Sequence, residues 1–255
     1  MTYEIDLGGK VAVITGGSRG VGRAVAFGLA RAGADVVIAS RKLDNCKTVA
    51  EEIAIETGRR TLPVAVNVSD WDDCGRLFDT VYSHFDRCDV LINNAGLSPL
   101  YDAGDLSSVT EALYDKTHNV NARGPFRLSA LFGARMAEGD GGSIINVSTA
   151  GSWRPDAHDL PYAMAKAGLN AMTVGMAGVW APKVRVNVVL PGAVDTDITK
   201  AWGPQAKEYA ASINPMGRIG TPEDYVGVCV FLASDSSGYV NGAQILADGG
   251  LFRTL

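Results

Sequence analysis

The chain has 255 residues, 47% of them hydrophobic and 20% charged, which excludes a disordered polymer, where apolar side chains are scarce and net charge is large. Twenty-three basic and 28 acidic residues give a formal charge of −5, dispersed without long runs, which argues against generic nucleic-acid binding. Thirty glycines exceed the ordinary share without collagen's period, so they are expected at turns and close backbone approaches.

Short β-branched runs alternate with longer helical patterns. A strand is expected at 11–15 (VAVIT), then a helix to Gly33, a strand at 35–40, a helix near 43–57, a strand at 62–66, a helix near 70–86 and a strand at 89–93. The second half offers one long helix near 108–138, a strand at 143–148, a helix near 161–180, a strand at 184–190, a helix at 222–233 and a strand at 243–247. Such alternation indicates parallel strands joined by helices: an α/β, Rossmann-type, doubly wound sheet of about seven strands with helices on both faces. No linker divides the units, so residues 1–255 read as one nucleotide-binding domain. The region 192–220 breaks the rhythm; its length and its Gly203, Pro204, Pro215 and Gly217 predict a substrate lid near 195–214.

Cys46, Cys74, Cys88 and Cys229 form no CxxC pair and there are three histidines, so neither a disulfide framework nor a metal site is expected, and a reducing cytoplasm fits. The start MTYEIDLGGK lacks the apolar core of a signal peptide, and the longest mostly apolar stretch, 167–182, is too short for a membrane span, so no membrane partner is expected.

The first strand runs into Thr15-Gly16-Gly17-Ser18-Arg19-Gly20-Val21-Gly22 and then a helix. Glycines there allow a tight turn and let amides at the helix start approach a pyrophosphate. Where a carboxylate would hold a ribose 2′-hydroxyl, the second strand ends in Ser40-Arg41-Lys42; cations there, with Arg19, favour a 2′-phosphate and hence NADP(H) over NAD(H). Tyr162 and Lys166, four apart on one expected helix, share a face, where an ammonium would lower the phenol's pKa and provide a proton for a carbonyl oxygen. The pair alone recurs by chance; the surrounding motifs decide.

Those motifs are TGGSRGVG at 15–22, NNAG at 93–96, Asn121 in NVNARGPF, INVST at 145–149, Tyr162-Ala-Met-Ala-Lys166, PGAVDT at 191–196 and NGAQILADGG near the carboxyl end. In that order they resemble the short-chain dehydrogenase/reductase family, in its single-domain branch, over essentially the whole chain. The resemblance implies NAD(P)-dependent carbonyl/alcohol chemistry on a small-molecule substrate and a homotetramer. It assigns Tyr162 as acid/base, Lys166 to the nicotinamide ribose, Asn121 to a water linking Lys166 to solvent, and Asn94, with Ala95 and Gly96, to cofactor support. It places Pro191, Gly192, Val194 and Thr196 along the nicotinamide. In place of the family's Asp-Val at the adenine stands Asn67-Val68, whose amide oxygen can still accept. The family's substrate-polarising Ser falls at Thr149, preceded by Ser148; adjacent strand residues point oppositely, so one hydroxyl should serve, and the gapless spacing selects Thr149.

The general form most resembles 3-oxoacyl-thioester reductases and related ketoreductases. The alternative is a non-catalytic NAD(P)-sensing protein on the same fold, which needs no Tyr/Lys pair; a longer-chain epimerase would carry an added substrate domain. Substrate choice is expected in segments 97–106, 150–160 and 195–214, through Tyr101, Trp153, His158 and Trp202. His118 and His158 are expected at the surface or in a substrate loop, Cys88 and Cys229 in the core. A helix 161–181 apolar on several faces predicts a symmetry mate.

Overall fold

The computed structural model describes residues 5–99, 101–197 and 199–252. Residues 1–4, 100, 198 and 253–255, which fall within the expected 1–255 domain and the expected 97–106 and 195–214 segments, lie outside the described residues.

Seven parallel strands form one sheet in the order β3-β2-β1-β4-β5-β6-β7. β1 (Val11–Thr15), β2 (Asp35–Ser40), β4 (Val90–Asn93), β5 (Gly142–Val147) and β6 (Val184–Pro191) are almost wholly buried, which explains why apolar residues occupy both faces of each: a strand covered on both faces has no polar side to alternate. β3 (Thr61–Ala65) and β7 (Gln244–Ala247) form the edges and are only partly covered.

One apolar cluster joins the sheet to α1 (Gly20–Arg31), α2 (Leu43–Thr57) and α8 (Val226–Ala233) through Val25, Leu29, Ile53, Cys229 and Leu232. The other joins it to α3 (Trp71–Phe85), α5 (Gly124–Glu138) and α6 (Leu160–Ala177) through Leu77, Val81, Leu128, Phe132 and Met176. Helices therefore cover both faces, as expected. Chain order reverses between β1 and β4, and a ligand crevice in such a sheet opens beyond the strand ends at that reversal.

Two elements differ from expectation. The long helix is two, α4 (Glu111–His118) and α5, joined by a π-helical stretch, Asn119–Arg123, around the buried Asn121. The expected lid contains a 3₁₀ turn, Thr199–Trp202, and a helix, α7 (Gly203–Ser212), which buries no residue and so carries no core periodicity in the sequence.

Candidate active site

A cleft of about 1220 Å³ lies at the β1/β4 reversal, larger than the roughly 300–1,000 Å³ of an ordinary small-ligand site and large enough for a dinucleotide with a substrate. One end is the turn between β1 and α1. Gly16 has φ +66° and Gly20 φ +52°, a left-handed backbone that a side chain resists. A Cβ on Gly22 would come within 2.4 Å of both the Asn94 Nδ2 and the Gly16 carbonyl, so glycine is required by close approach. Asn94 fastens this turn by donating from Nδ2 to the Thr15 and Gly16 carbonyls at 3.0 and 3.3 Å. Thr15 answers with a hydroxyl that accepts from the Asn94 and Ala95 amides, both at 3.1 Å.

Arg19 is the N-cap of α1 and its side chain makes no capping bond; nor does the first turn carry an acid. Uncapped amides facing a cleft, with the helix dipole behind them, suit a phosphate. Ser18 and Ser40 hydroxyls, 2.9 Å apart, tie the turn to the end of β2. Arg41 and Lys42 are exposed beside them, line the cleft, and have no ion-pair partner among the described residues. Arg19 is instead paired with Asp197 at 2.9 Å, across to the segment after β6. These residues fit a nicotinamide dinucleotide, and the free cations fit one bearing a 2′-phosphate.

Asn67 does not keep its expected adenine-accepting oxygen: Oδ1 accepts from the Ser69 amide and hydroxyl at 3.3 and 2.8 Å, closing a local turn. Val68 lines the cleft next to it, as do Val21, Ala95, Gly96, Pro191, Gly192, Val194 and Thr196. Thr196 lies close over Gly20, whose added Cβ would touch its Cγ2 at 3.4 Å. Thr199, which the sequence reading passed over, is buried and donates to the Val194 carbonyl at 2.8 Å, setting this loop.

Tyr162 and Lys166 do share one face of α6 and both line the cleft. The Lys166 Nζ is buried, 5.7 Å from the centroid of the Tyr162 ring, and donates to the Val147 carbonyl at 2.7 Å. Burial pushes Lys166 down to about 7. Burial, and after it the Asp159 carboxylate, push the Tyr162 phenol well above its usual value. The expected lowering of the phenol by Lys166 is thus reversed among the protein's own groups: desolvation opposes charge on both, leaving Tyr162 a protonated acid at neutral pH.

Asn121 commits both amide hydrogens, to the Leu97 and Thr117 carbonyls at 2.7 and 2.8 Å, and accepts from the Leu97 amide at 3.1 Å. Its side chain therefore splints the π turn to the loop after β4. The two candidate hydroxyls diverge. Ser148 is buried and donates to the Lys166 carbonyl at 3.2 Å. Thr149 is half-buried and accepts from the Gly151 amide at 3.2 Å, which leaves its own proton available to the cleft.

At the substrate end, His158 and Trp202 line the cleft but Tyr101 and Trp153 do not. Trp153 is turned away, donating to Gln244 Oε1 at 3.0 Å, and the Tyr101 hydroxyl pins the 157–160 turn by bonding Ala157 and Leu160. His158 pairs with Asp156 at the rim, and His118 stacks on Tyr114 outside the cleft. The expected substrate segments contribute Leu97, Arg154 and Asp159 to the lining, and residues outside them, Lys116, Leu251 and Phe252 among these, were not foreseen. Beneath the site, Asn93 donates to Ser129 and Asn146, and Asn146 to Thr173, each at 2.9 Å; two asparagines inside apolar strands were the signal for this network. Cys88 and Cys229 are buried as expected. Among the described residues no metal-type cluster occurs, and no helix is long and apolar enough to cross a membrane.

A family model described as Enoyl-(Acyl carrier protein) reductase matches residues 16–252. The 3-oxoacyl-[acyl-carrier-protein] reductase FabG of Aquifex aeolicus is 34% identical over 252 residues, 98% of this chain and 100% of that protein. The L-rhamnose 1-dehydrogenase (NAD(P)(+)) of Azotobacter vinelandii is 39% identical over 254 residues, 96% of this chain and 98% of that one. Among solved structures, a gluconate 5-dehydrogenase from Burkholderia cenocepacia in complex with NADP and tartrate superposes with a TM-score of 0.92 at 29% identity, covering 99% of this chain and 98% of that one.

Proposed function

The chain belongs to the short-chain dehydrogenase/reductase family and is a pyridine-nucleotide-dependent oxidoreductase of CH–OH and C=O groups, and from that premise we propose an NADP(H)-preferring ketone reductase with Tyr162 as its acid. One observation carries the reading: Tyr162, Lys166 and Thr149 converge on the same cleft as an uncapped helix start and Arg41, which has no ion-pair partner among the described residues. When bound, the nicotinamide supplies or takes up the hydride. The α1 amides would hold its pyrophosphate, Arg41 and Lys42 its 2′-phosphate, and Lys166 its ribose. Thr149 donates to the substrate oxygen and Tyr162, kept protonated by burial, delivers a proton there. A neighbour crystallised with NADP is consistent with this preference.

The α6 side away from the sheet exposes Met164, Ala167, Gly168, Ala171, Val174 and Gly175, a small-residue apolar stripe at helical spacing. A self-complementary face of this kind closes by two-fold pairing, and the family resemblance supplies four copies. Light scattering at micromolar concentration is expected to give a tetramer; the mass of one chain would refute it.

The enzymatic test is NADPH and NADH oxidation over a carbonyl panel by the unmodified protein and Tyr162→Phe. The variant should lose at least about 10²-fold in kcat while still binding NADPH, since general acid catalysis contributes roughly 10²–10⁴. NADPH should exceed NADH in kcat/KM by at least about tenfold. Unchanged turnover in the variant would overturn the mechanism, and equal cofactor efficiencies the preference.

A further inference from the structure

Asp159 occupies the N-cap of α6, where an aspartate ordinarily accepts from the backbone amides of the first turn. It makes no such bond. Pro161, in the first turn, has no N–H, and the Leu160 amide is taken by the Tyr101 hydroxyl at 2.8 Å. Among the described residues no side chain donates to the half-buried carboxylate, whose one hydrogen-bonding neighbour is the Asp156 backbone. The charged groups of the same loop are engaged elsewhere: Asp156 with His158, and Arg154 over the Phe252 ring at 5.4 Å. Lys166, two turns along α6, is spent on the Val147 carbonyl.

The carboxylate lines the cleft beside Tyr162, whose phenol its charge holds up. Gly151 opens the space between it and the candidate polarising hydroxyl. A Cβ built there would be 3.5 Å from the Thr149 Oγ1 and 3.8 Å from the Asp159 Oδ2, so both groups border one point. A carboxylate partly removed from water is costly until something donates to it. Carbon skeletons entering beside Thr149 displace water from the carboxylate and replace its donors when they carry a hydroxyl near the reacting carbon; the methylene of a 3-oxoacyl thioester supplies no donor.

We propose that Asp159 accepts a hydrogen bond from a substrate hydroxyl close to the reacting carbon, so that the substrate class is polyhydroxylated, sugar-type ketones and alcohols and Asp159 determines it. This rests on the oxidoreductase reading above and narrows it away from acyl thioesters.

The test is kcat/KM with NADPH for 5-dehydro-D-gluconate and L-sorbose, against cyclohexanone and acetoacetyl-N-acetylcysteamine, with the unmodified protein, Asp159→Ala and Asp159→Asn. The unmodified protein should favour a hydroxylated probe. Asp159→Ala should lower the ratio of hydroxylated probe to cyclohexanone about 10- to 100-fold, chiefly through KM, as loss of a bond to a charged group predicts. Asp159→Asn, which keeps an acceptor without the charge, should lose less. NADPH binding followed by its fluorescence separates an altered site from an unfolded chain. A ratio unmoved in both variants, or reduction of the thioester but neither hydroxylated probe, overturns the inference and leaves the reductase standing. No NADPH oxidation on any probe overturns both.

Discussion

At the β1–α1 turn, Gly16 and Gly22 are pressed against Asn94 and backbone, Thr15 is buried, and Asn94 bonds across from β4. At the other end of the same cleft, α7 buries nothing, Arg154, His158 and Trp202 are exposed, and the polar groups mostly pair within their own loop. In the first region the atoms that would hold the cofactor also hold the sheet together, so function and folding share one set of contacts. In the second they are separable, and side chains there can change without unseating the core. Members of one family can therefore share a cofactor end while their names record acyl, deoxysugar and gluconate substrates.

Lys166 gives the largest expected effect on this contrast, because it is buried at the junction of the two regions and holds the nicotinamide ribose in the proposed mechanism. Its folded pKa is about 7, below the unfolded value near 10.5. A depressed lysine binds its proton more tightly in the unfolded chain, so the folding penalty is full below pH 7 and vanishes above about 10.5. Charging it inside the fold costs on the order of 5 kcal/mol at low pH. Lys166→Met should abolish measurable turnover yet raise the melting temperature of the cofactor-free protein by a few degrees at pH 6. Part of the gain is lost because the Val147 carbonyl is left without its donor, an unsatisfied group costing roughly 1–3 kcal/mol. The gain should shrink as pH rises towards 10. Calorimetry at pH 6, 8 and 9.5 checks the sign; a variant less stable at pH 6 than the unmodified protein would place Lys166 with the structural residues alone.

The same division explains what the sequence disclosed. Strands buried on both faces need unbroken β-branched runs, so VAVIT and DVVIAS announce themselves, and the glycine spacing at 16–22 follows from backbone approach. α7 was illegible because a helix with no buried face leaves no apolar period. The break at Asn119–Arg123 was illegible for a different reason: Asn121 is held by Leu97, 24 residues away, a contact that no local pattern encodes. Asn67 lies in the cleft lining as read, but Asn-x-Ser is also a turn signal and its oxygen bonds Ser69 locally. Trp153 and Tyr101 were sound as loop residues and wrong as lining, because side-chain direction in exposed loops depends on partners such as Gln244 and Leu160.

A smaller effect separates two adjacent hydroxyls. Ser148 and Thr149 both border the cleft, but their hydrogens go different ways: that of Ser148 to the Lys166 carbonyl, that of Thr149 to no acceptor among the described residues. A hydroxyl already donating to a buried carbonyl must break that bond to serve a substrate, whereas the Thr149 oxygen is oriented by the Gly151 amide with its proton to spare. Thr149 also holds a branched side chain with restricted χ1, which limits the directions in which that proton can point. Thr149→Val preserves shape and removes the donor, so kcat/KM should fall about 10- to 100-fold, the cost of one oriented hydrogen bond to a developing oxyanion. It also removes the acceptor for the Gly151 amide, so some loss of stability, about 1 kcal/mol, should accompany it. Thr149→Ser keeps donor and acceptor and should retain most activity, which separates the catalytic loss from the structural one. Ser148→Ala should cost stability of similar size with kcat nearly unchanged. If Ser148→Ala instead gives the larger loss in kcat, the Lys166 carbonyl releases that hydroxyl during turnover, and the buried residue rather than the half-exposed one polarises the substrate.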